Sequence, residues 1–325
     1  MEKLISKIII AILKGKDYRP FVLATINKRF VDTANEMLKK VFYAKKKNKE
    51  IDWWIKNLIE GDLTKKELLW FSGLNNKTVT NMVGTTIKKV CIELGKENIR
   101  SLDLLFKETR ILSDKNIPKV LITIKFNEES VELNEIESLM LINSLATMKL
   151  SIQGGAWSEV GKKTEKQLLH VLFELLEINP HQYVLIFDEM KKKGLVENRE
   201  IDGIVFSDDG KKVLQIELKL LGIGNPEIAD EALARKVDLF LIDRLTPMMI
   251  EEAAEIGIRV IELRRKDALN ELYKFFKDNG VSVKKPVGID LDKSVPRILQ
   301  KYNERLESSK ILKKAKEFTK IKVLK

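Results

Sequence analysis

Two acidic residues and a lysine in the second half of the chain stand at a spacing that suits phosphoryl chemistry. Asp202 lies in Glu200-Ile201-Asp202-Gly203-Ile204-Val205-Phe206, and Glu217 and Lys219 lie in Val213-Leu214-Gln215-Ile216-Glu217-Leu218-Lys219. Both apolar runs read as strands. Ser207-Asp208-Asp209-Gly210 between them is a turn sequence. Asp-Gly between apolar strands predicts a two-residue type I′ loop, whose central residues both need positive φ. With Asp209-Gly210 as that loop, Asp208 opposes Lys211, and the same register sets Asp202 opposite Glu217 on one face. Opposed Cβ atoms are about 4.5–5.5 Å apart, and Lys219, two residues past Glu217, points to the same side. A bulge or a longer loop would shift this register by a residue.

Two acids facing each other inside an apolar hairpin repel and lose solvation. A divalent cation compensates both, and Mg²⁺ takes carboxylate oxygens while keeping waters. The lysine can orient a water, lower its pKa or stabilise a pentacovalent phosphate. A Lewis acid, an activated water and charge compensation are what phosphodiester hydrolysis requires. Asp-x(n)-Glu-x-Lys alone is a weak signature that many surface hairpins carry by chance. Its weight comes from its setting, at the end of one strand and within the partner strand, with a helix and a strand after it.

The elements around it follow from periodicity. A helix over about 158–178 turns Leu168, Leu169, Leu172, Leu175 and Leu176 inward, and Glu165 lies near that stripe, three and four residues before Leu168 and Leu169. It has two readings: a third carboxylate for the site, or an N-terminal acid set against the helix dipole. Strands are expected at 183–188, 199–207, 211–219, 237–242 and 258–264, with helices at about 227–236, 246–256 and 267–278. Alternating strands and helices predict an α/β domain with a mixed sheet flanked by helices. The tail from 284 is helical and lysine-rich and reads as a solvated or dimer-packing helix.

The first 149 residues read as a mainly α-helical domain, with a strand at 117–126, a helix at 130–150, and Gly154-Gly155 as the hinge to a second domain over 150–325. The polar run Lys45 to Glu50 reads as a solvated loop, and Trp53 and Trp54 as the anchor of a helix over 51–60. Thr64-Lys65-Lys66-Glu67 is a capping box. Ser72-Gly73-Leu74 is a tight turn, and a second helix then carries Val79, Met82, Val83, Ile87, Val90, Cys91 and Leu94 on its apolar side. Residues 64–95 thus resemble a helix-turn-helix. In that motif Asn76, Lys77, Thr80 and Asn81 meet DNA; the plainer reading is an αα-corner.

Bulk properties agree with a nucleic-acid partner without requiring one. The 325 residues carry 59 Lys and Arg against 48 Asp and Glu, a net charge of +11. Such a surplus suits a polyanion or serves solubility. One cysteine, Cys91, and two histidines exclude an internal disulfide and a Cys/His zinc site. That usage fits a reducing, cytoplasmic setting. The apolar run at Ile8–Leu13 is too short to span a bilayer and reads as a packed amphipathic helix.

Asp202 with Glu217-Leu218-Lys219 resembles the PD-(D/E)xK nuclease signature, with Ile201 where the signature's name has Pro. Three stretches resemble the CfrBI group of type II restriction endonucleases. They are Gly154-Gly155-Ala156-Trp157-Ser158 with Gly161, Lys162 and Glu165; Glu217-Leu218-Lys219-Leu220 with Gly222, Gly224-Asn225-Pro226-Glu227 and Ala229-Asp230; and Val260-Ile261-Glu262-Leu263-Arg264. The likeness covers about 150–265. It implies a PD-(D/E)xK core, Mg²⁺-dependent cleavage of double-stranded DNA at a short palindrome, and a homodimer. A methyltransferase would act on the same site without a stable complex. By that resemblance Asp202 and Glu217 bind metal, Lys219 is the catalytic lysine and Glu165 an auxiliary acid. Lys162 and Asn225 are candidate DNA contacts, the latter in a flexible loop where backbone could approach closely. The competing readings are a repair nuclease or junction resolvase on the same core, and a non-catalytic helix-turn-helix regulator.

Overall fold

The structure is a computed structural model and describes residues 2–47, 52–112, 119–186, 201–220 and 237–306. The expected helix over 227–236, the loop 222–226 with Asn225, Glu200 and the lysines beyond 306 lie outside the described residues. The chain divides into two compact units, one of Met1–Val22 with Ser158–Lys325, the other Leu23–Trp157. No helix among the described residues is long and apolar enough to cross a membrane.

The second unit is helical, with one hairpin. Helix α2 runs Arg19–Lys47, α3 Lys65–Phe71, α4 Asn76–Val83, α5 Lys88–Leu112 and α6 Glu135–Leu175, beginning in one unit and ending in the other in the case of α2 and α6. Trp53 and Trp54 are buried, and their indoles donate to Glu137 Oε1 at 2.6 Å and to the Phe71 carbonyl at 3.1 Å. In the expected solvated loop from Lys45 to Glu50, residues 45–47 are instead the last turn of α2, and 48–50 lie outside the described residues. There Lys45 pairs with Glu137 and Lys46 with Glu129, so two of its lysines are held. The expected helix at 130–150 is also corrected. Residues Ile122–Phe126 (β1) and Glu129–Leu133 (β2) form an antiparallel hairpin closed by Asn127-Glu128, with Asn127 at φ 56°. An Asx residue tolerates that left-handed backbone, and the short period-2 run hid beside a longer helical pattern.

Gly154 and Gly155 do not form a hinge in the chain trace: α6 passes through them as continuous helix over 41 residues. Each glycine costs about 1 kcal/mol in a helix, too little to break the apolar periodicity on both sides. The boundary between units nevertheless falls just beyond, at Trp157 and Ser158.

In the first unit, α1 (Glu2–Leu13) buries Ile5, Ile8, Ile9 and Ile12, each fully buried isoleucine contributing about 1.5–3 kcal/mol. It packs against α9 (Leu291–Leu306), whose Val295, Ile298, Leu299 and Tyr302 are buried. Two expectations change here. The first 22 residues belong with 158–325 rather than with a domain over 1–149, because α1 has its apolar partner there. The helix at 291–306 is in the core over its buried stripe rather than solvated.

The five-stranded sheet has the order β3 (Tyr183–Leu185), β4 (Gly203–Phe206), β5 (Val213–Lys219), β6 (Leu239–Ile242), β7 (Arg259–Glu262). The first two pairings are antiparallel, the last two parallel, giving the expected α/β class with a mixed sheet. One face carries Ile204, Phe240 and Ile242 against Met249 and Ala253 of α7 (Pro247–Ile256). Helix α8 (Ala268–Asp278) buries Ala268, Leu272 and Phe276, and the Phe276 ring meets that of Phe173 from α6.

Candidate active site

The hairpin β4–β5 has the expected register, for a different reason. Phe206 pairs with Val213, Val205 with Leu214, Ile204 with Gln215 and Gly203 with Ile216. The turn, however, is not a two-residue type I′ loop. Gly210 N donates to Ser207 O at 2.9 Å and Gly210 has φ 68°, whereas Asp209 is not among the residues with positive φ. Ser207 N donates to Lys212 O, so four residues form the loop. A four-residue loop centred on the same bond as a two-residue one leaves every pairing unchanged. The loop is stiffened by its own side chains: Lys211 N donates to Asp209 Oδ1 at 3.0 Å, and Lys212 N to Ser207 Oγ at 2.9 Å.

The register stops short of the acid. Asp202 N donates to Ile216 O at 2.9 Å although Ile216 is already the partner of Gly203, so two residues of one strand face one of the other. This is a β-bulge, a device that re-aims a side chain. Asp202 is therefore not simply opposed to Glu217, as the regular hairpin predicted. Its carboxylate accepts the Leu218 amide at Oδ2, 2.9 Å away, and Leu218 is the residue between Glu217 and Lys219. Oδ1 accepts Lys166 Nζ at 2.9 Å, and the same ammonium donates to the Ile186 carbonyl. Asp202 is 7% exposed and Glu217 fully buried, with Lys219 Nζ 3.4 Å from Glu217 Oε1.

Helix α6 reaches this end of the sheet because Gly203 lets it. A Cβ at Gly203 would stand 2.7 Å from Leu169 Cδ2. One turn earlier on the same helix, Glu165 Oε1 accepts the Leu220 amide at 3.0 Å, just past the end of β5. Burial is the main cause that pushes the Glu165 carboxyl up to about 7; the nearby Asp202 charge adds to it, and the Leu220 amide, Lys219 and Lys166 oppose it. Both halves of the original alternative bear on Glu165: it faces the site, and it lies inside a long helix, away from any helix N-terminus.

Three residues of this region carried no recognised signal in the sequence. Lys166 follows Glu165 in an ordinary charged run. Asp243, buried, directly follows β6, and Tyr18, also buried, follows α1. Burial raises the Tyr18 hydroxyl well above its ordinary value, and the Asp243 and Glu165 carboxylates push it in the same direction. Three residues before Tyr18, Gly15 has φ 71° and lies so close to the Arg264 carbonyl that a Cβ would stand 2.7 Å from it. A charge felt from residues so far along the chain leaves no local pattern. His170, by contrast, is used in packing: its Nδ1 lies 3.1 Å from the Tyr183 hydroxyl and its ring 4.8 Å from that of Tyr302.

The remaining expected residues fall outside this cluster. Lys162 is exposed on α6, three residues before Glu165. Asn76, Lys77, Thr80 and Asn81 are exposed on α4 in the other unit. Among the described residues no group of three or more His, Cys, Asp or Glu side chains is gathered closely enough to hold a metal ion. Asp202 and Glu217 supply a hard-oxygen pair. Mg²⁺ is bound by one or two carboxylates, with waters and phosphate completing the shell, so the pair fits it.

The family model of the CfrBI restriction endonuclease matches residues 2–249. The match takes in the helical half, which the motif likeness over 150–265 left aside, and ends before Val260–Arg264. No curated protein and no solved structure matches the chain at a significant level.

Proposed function

The chain belongs to the CfrBI restriction endonuclease family, and from that premise we propose that it is a type II enzyme hydrolysing double-stranded DNA at a short palindromic site with Mg²⁺. The observation that carries the assignment of residues is the hydrogen bond from Leu218 N to Asp202 Oδ2. It ties the bulged acid just before β4 to the Glu-x-Lys strand and brings both to one end of the sheet. The order α6-β3-β4-β5-β6, two antiparallel pairings followed by a parallel one, supports a PD-(D/E)xK core.

In this reading Asp202 and Glu217 hold the cation. When bound, Mg²⁺ supplies Lewis acidity to the scissile phosphate. Lys219, anchored beside Glu217, orients the attacking water and offers positive charge to the phosphate oxygens as they gain negative charge. Lys166 holds Asp202 from the other side and keeps the carboxylate in position. Glu165, with its proton affinity raised to about 7, is the auxiliary acid: near neutral pH it can take or return a proton at its carboxylate. Two copies of the chain related by a two-fold axis would present two such sites to the two strands of a palindrome. A methyltransferase of the same specificity would protect the host's own sites.

The test is digestion of a sequenced plasmid with Mg²⁺, followed by mapping of the ends. Discrete fragments with ends at one repeated sequence are expected. A smear would favour a repair nuclease or resolvase, and uncut DNA would remove the reading.

A further inference from the structure

Helix α4 and its link to α5 show a surface that the sequence pattern places in the core. The expected helix was continuous to residue 94, with Met82, Val83 and Ile87 on its buried side. Instead α4 ends at Val83, Gly84 caps it with φ 68°, and α5 starts at Lys88. Met82 is 61% exposed, Val83 41% and Ile87 65%; only Val79 of α4 is buried. Lys77, Thr80 and Asn81 are exposed too, on the side of α4 turned away from Val79, with Met82 and Val83 along its flanks.

Both ends of α4 are capped. Asn75 caps α4 through Thr78 N at 2.9 Å, Gly84 N closes its last turn on Thr80 O, and the preceding α3 has a complete capping box. Gly95 brings α5 against the end of α3, since a Cβ there would stand 2.3 Å from Ser72 Oγ. Residues 68–92 contain no Asp or Glu, the longest such stretch in the chain, and hold Lys77, Lys88 and Lys89.

We propose that the exposed surface of α4, its outer side and its flank, together with the α4–α5 link, is where this protein reads DNA bases. Asn81 offers the amide that pairs with the donor and acceptor of adenine, Met82 and Ile87 meet thymine methyl groups, and Lys77, Lys88 and Lys89 meet flanking phosphates. A second copy of the chain is the poorer occupant. In a two-fold contact the patch meets itself, and three lysines would oppose three lysines with no acid from residues 68–92 between them. The inference rests on double-stranded DNA as the substrate, not on the catalytic residues.

The test is selection from a random duplex pool by the full-length protein carrying Asp202→Ala in Mg²⁺, compared with the same protein also carrying Asn81→Ala, or Met82→Ala with Ile87→Ala. These side chains are exposed, and unchanged thermal unfolding checks that each variant folds. The parent should enrich a motif. Asn81→Ala should lose preference at an adenine, and the double change at a thymine, each by tenfold or more. An unchanged motif in both variants, a uniform loss of affinity, no motif from the parent, or a change of oligomeric state with the motif retained would each overturn the proposal. If the Asp202→Ala protein still cuts, the catalytic assignment fails, while the cut ends report the same motif.

Discussion

Two regions of this protein, the end of the β4–β5 hairpin and the surface of α4, treat charge in opposite ways. Around β4 and β5 the charged groups are withdrawn from water and tied down. Asp202 has a donor on each carboxylate oxygen, Glu165 has a backbone amide, and Lys219 lies against a fully buried Glu217. On α4 the polar groups are left in solvent beside exposed apolar side chains, and no acid stands within the stretch. Chemistry on a phosphodiester needs fixed charges in a low-dielectric setting, where each is worth more than in water. Reading a sequence needs side chains that stay uncommitted until DNA arrives. One surface is costly to build and specific in geometry; the other is inexpensive in folding terms and specific only in its partner.

The largest effect should come from breaking the buried half. Asp202→Ala and Lys219→Ala should each slow Mg²⁺-dependent cleavage by about 10²–10³-fold or more, with DNA binding retained. Initial rates of plasmid linearisation beside a gel-shift titration measure this, and variants that digest DNA as the parent does would remove the cluster from the mechanism. The exposed half should respond to salt instead. The slope of log affinity against log salt should be steep and should become shallower by about 2 in a Lys77→Ala/Lys88→Ala protein, one unit for each lost phosphate contact. A flat salt response in the parent would end the electrostatic part of the comparison.

Lys166→Met leaves the Asp202 carboxylate without its ion-pair partner in a setting where both side chains are largely buried. Without metal the variant should lose about 3–5 kcal/mol of stability, and added Mg²⁺ should return part of it. Thermal unfolding in EDTA and in Mg²⁺ distinguishes this from a loss that metal does not touch.

The smallest effect is a pH dependence. The Glu165 carboxyl has a folded pKa of about 7 against an ordinary 4.5, so the folded chain holds this proton more tightly. Its stabilisation is present below about pH 4.5 and is lost as pH rises towards 7, with an upper bound of about 3 kcal/mol. Glu165→Gln keeps an acceptor for the Leu220 amide and removes the charge. In EDTA it should be more stable than the parent at pH 8 by about 1–3 kcal/mol and equal to it at pH 4.5. Parallel denaturant titrations at the two pH values report the difference, and equal stability at pH 8 would contradict it.

Much of the candidate site was legible because it is local. Strand β5 is one run of seven residues, and its hairpin partner is joined by a short loop, so alternation and turn chemistry sufficed to pair them. The loop type was misread, yet the register survived, since loops of two and four residues share a centre. The bulge at Asp202 was not legible: it depends on Ile216 accepting a second amide, which no residue type announces. Residues Met82, Val83 and Ile87 were misread because a 3.6-residue period continues across Gly84, and only the left-handed cap at that glycine ends the helix. At Gly154 and Gly155 the same residue type had no such effect, because neither has a positive φ.

By itself the sequence determined the α/β class of the second half, the strands that hold Asp202, Glu217 and Lys219, and the family likeness, all of which rest on short-range spacing. The tertiary structure alone decided where Asp202 points, that Lys166 holds it, that Tyr18 and the first 22 residues join the unit of the site, and which side of α4 meets water. Those depend on contacts between residues far apart in the chain. Packing distance, not sequence distance, sets the burial and the charge that each side chain feels.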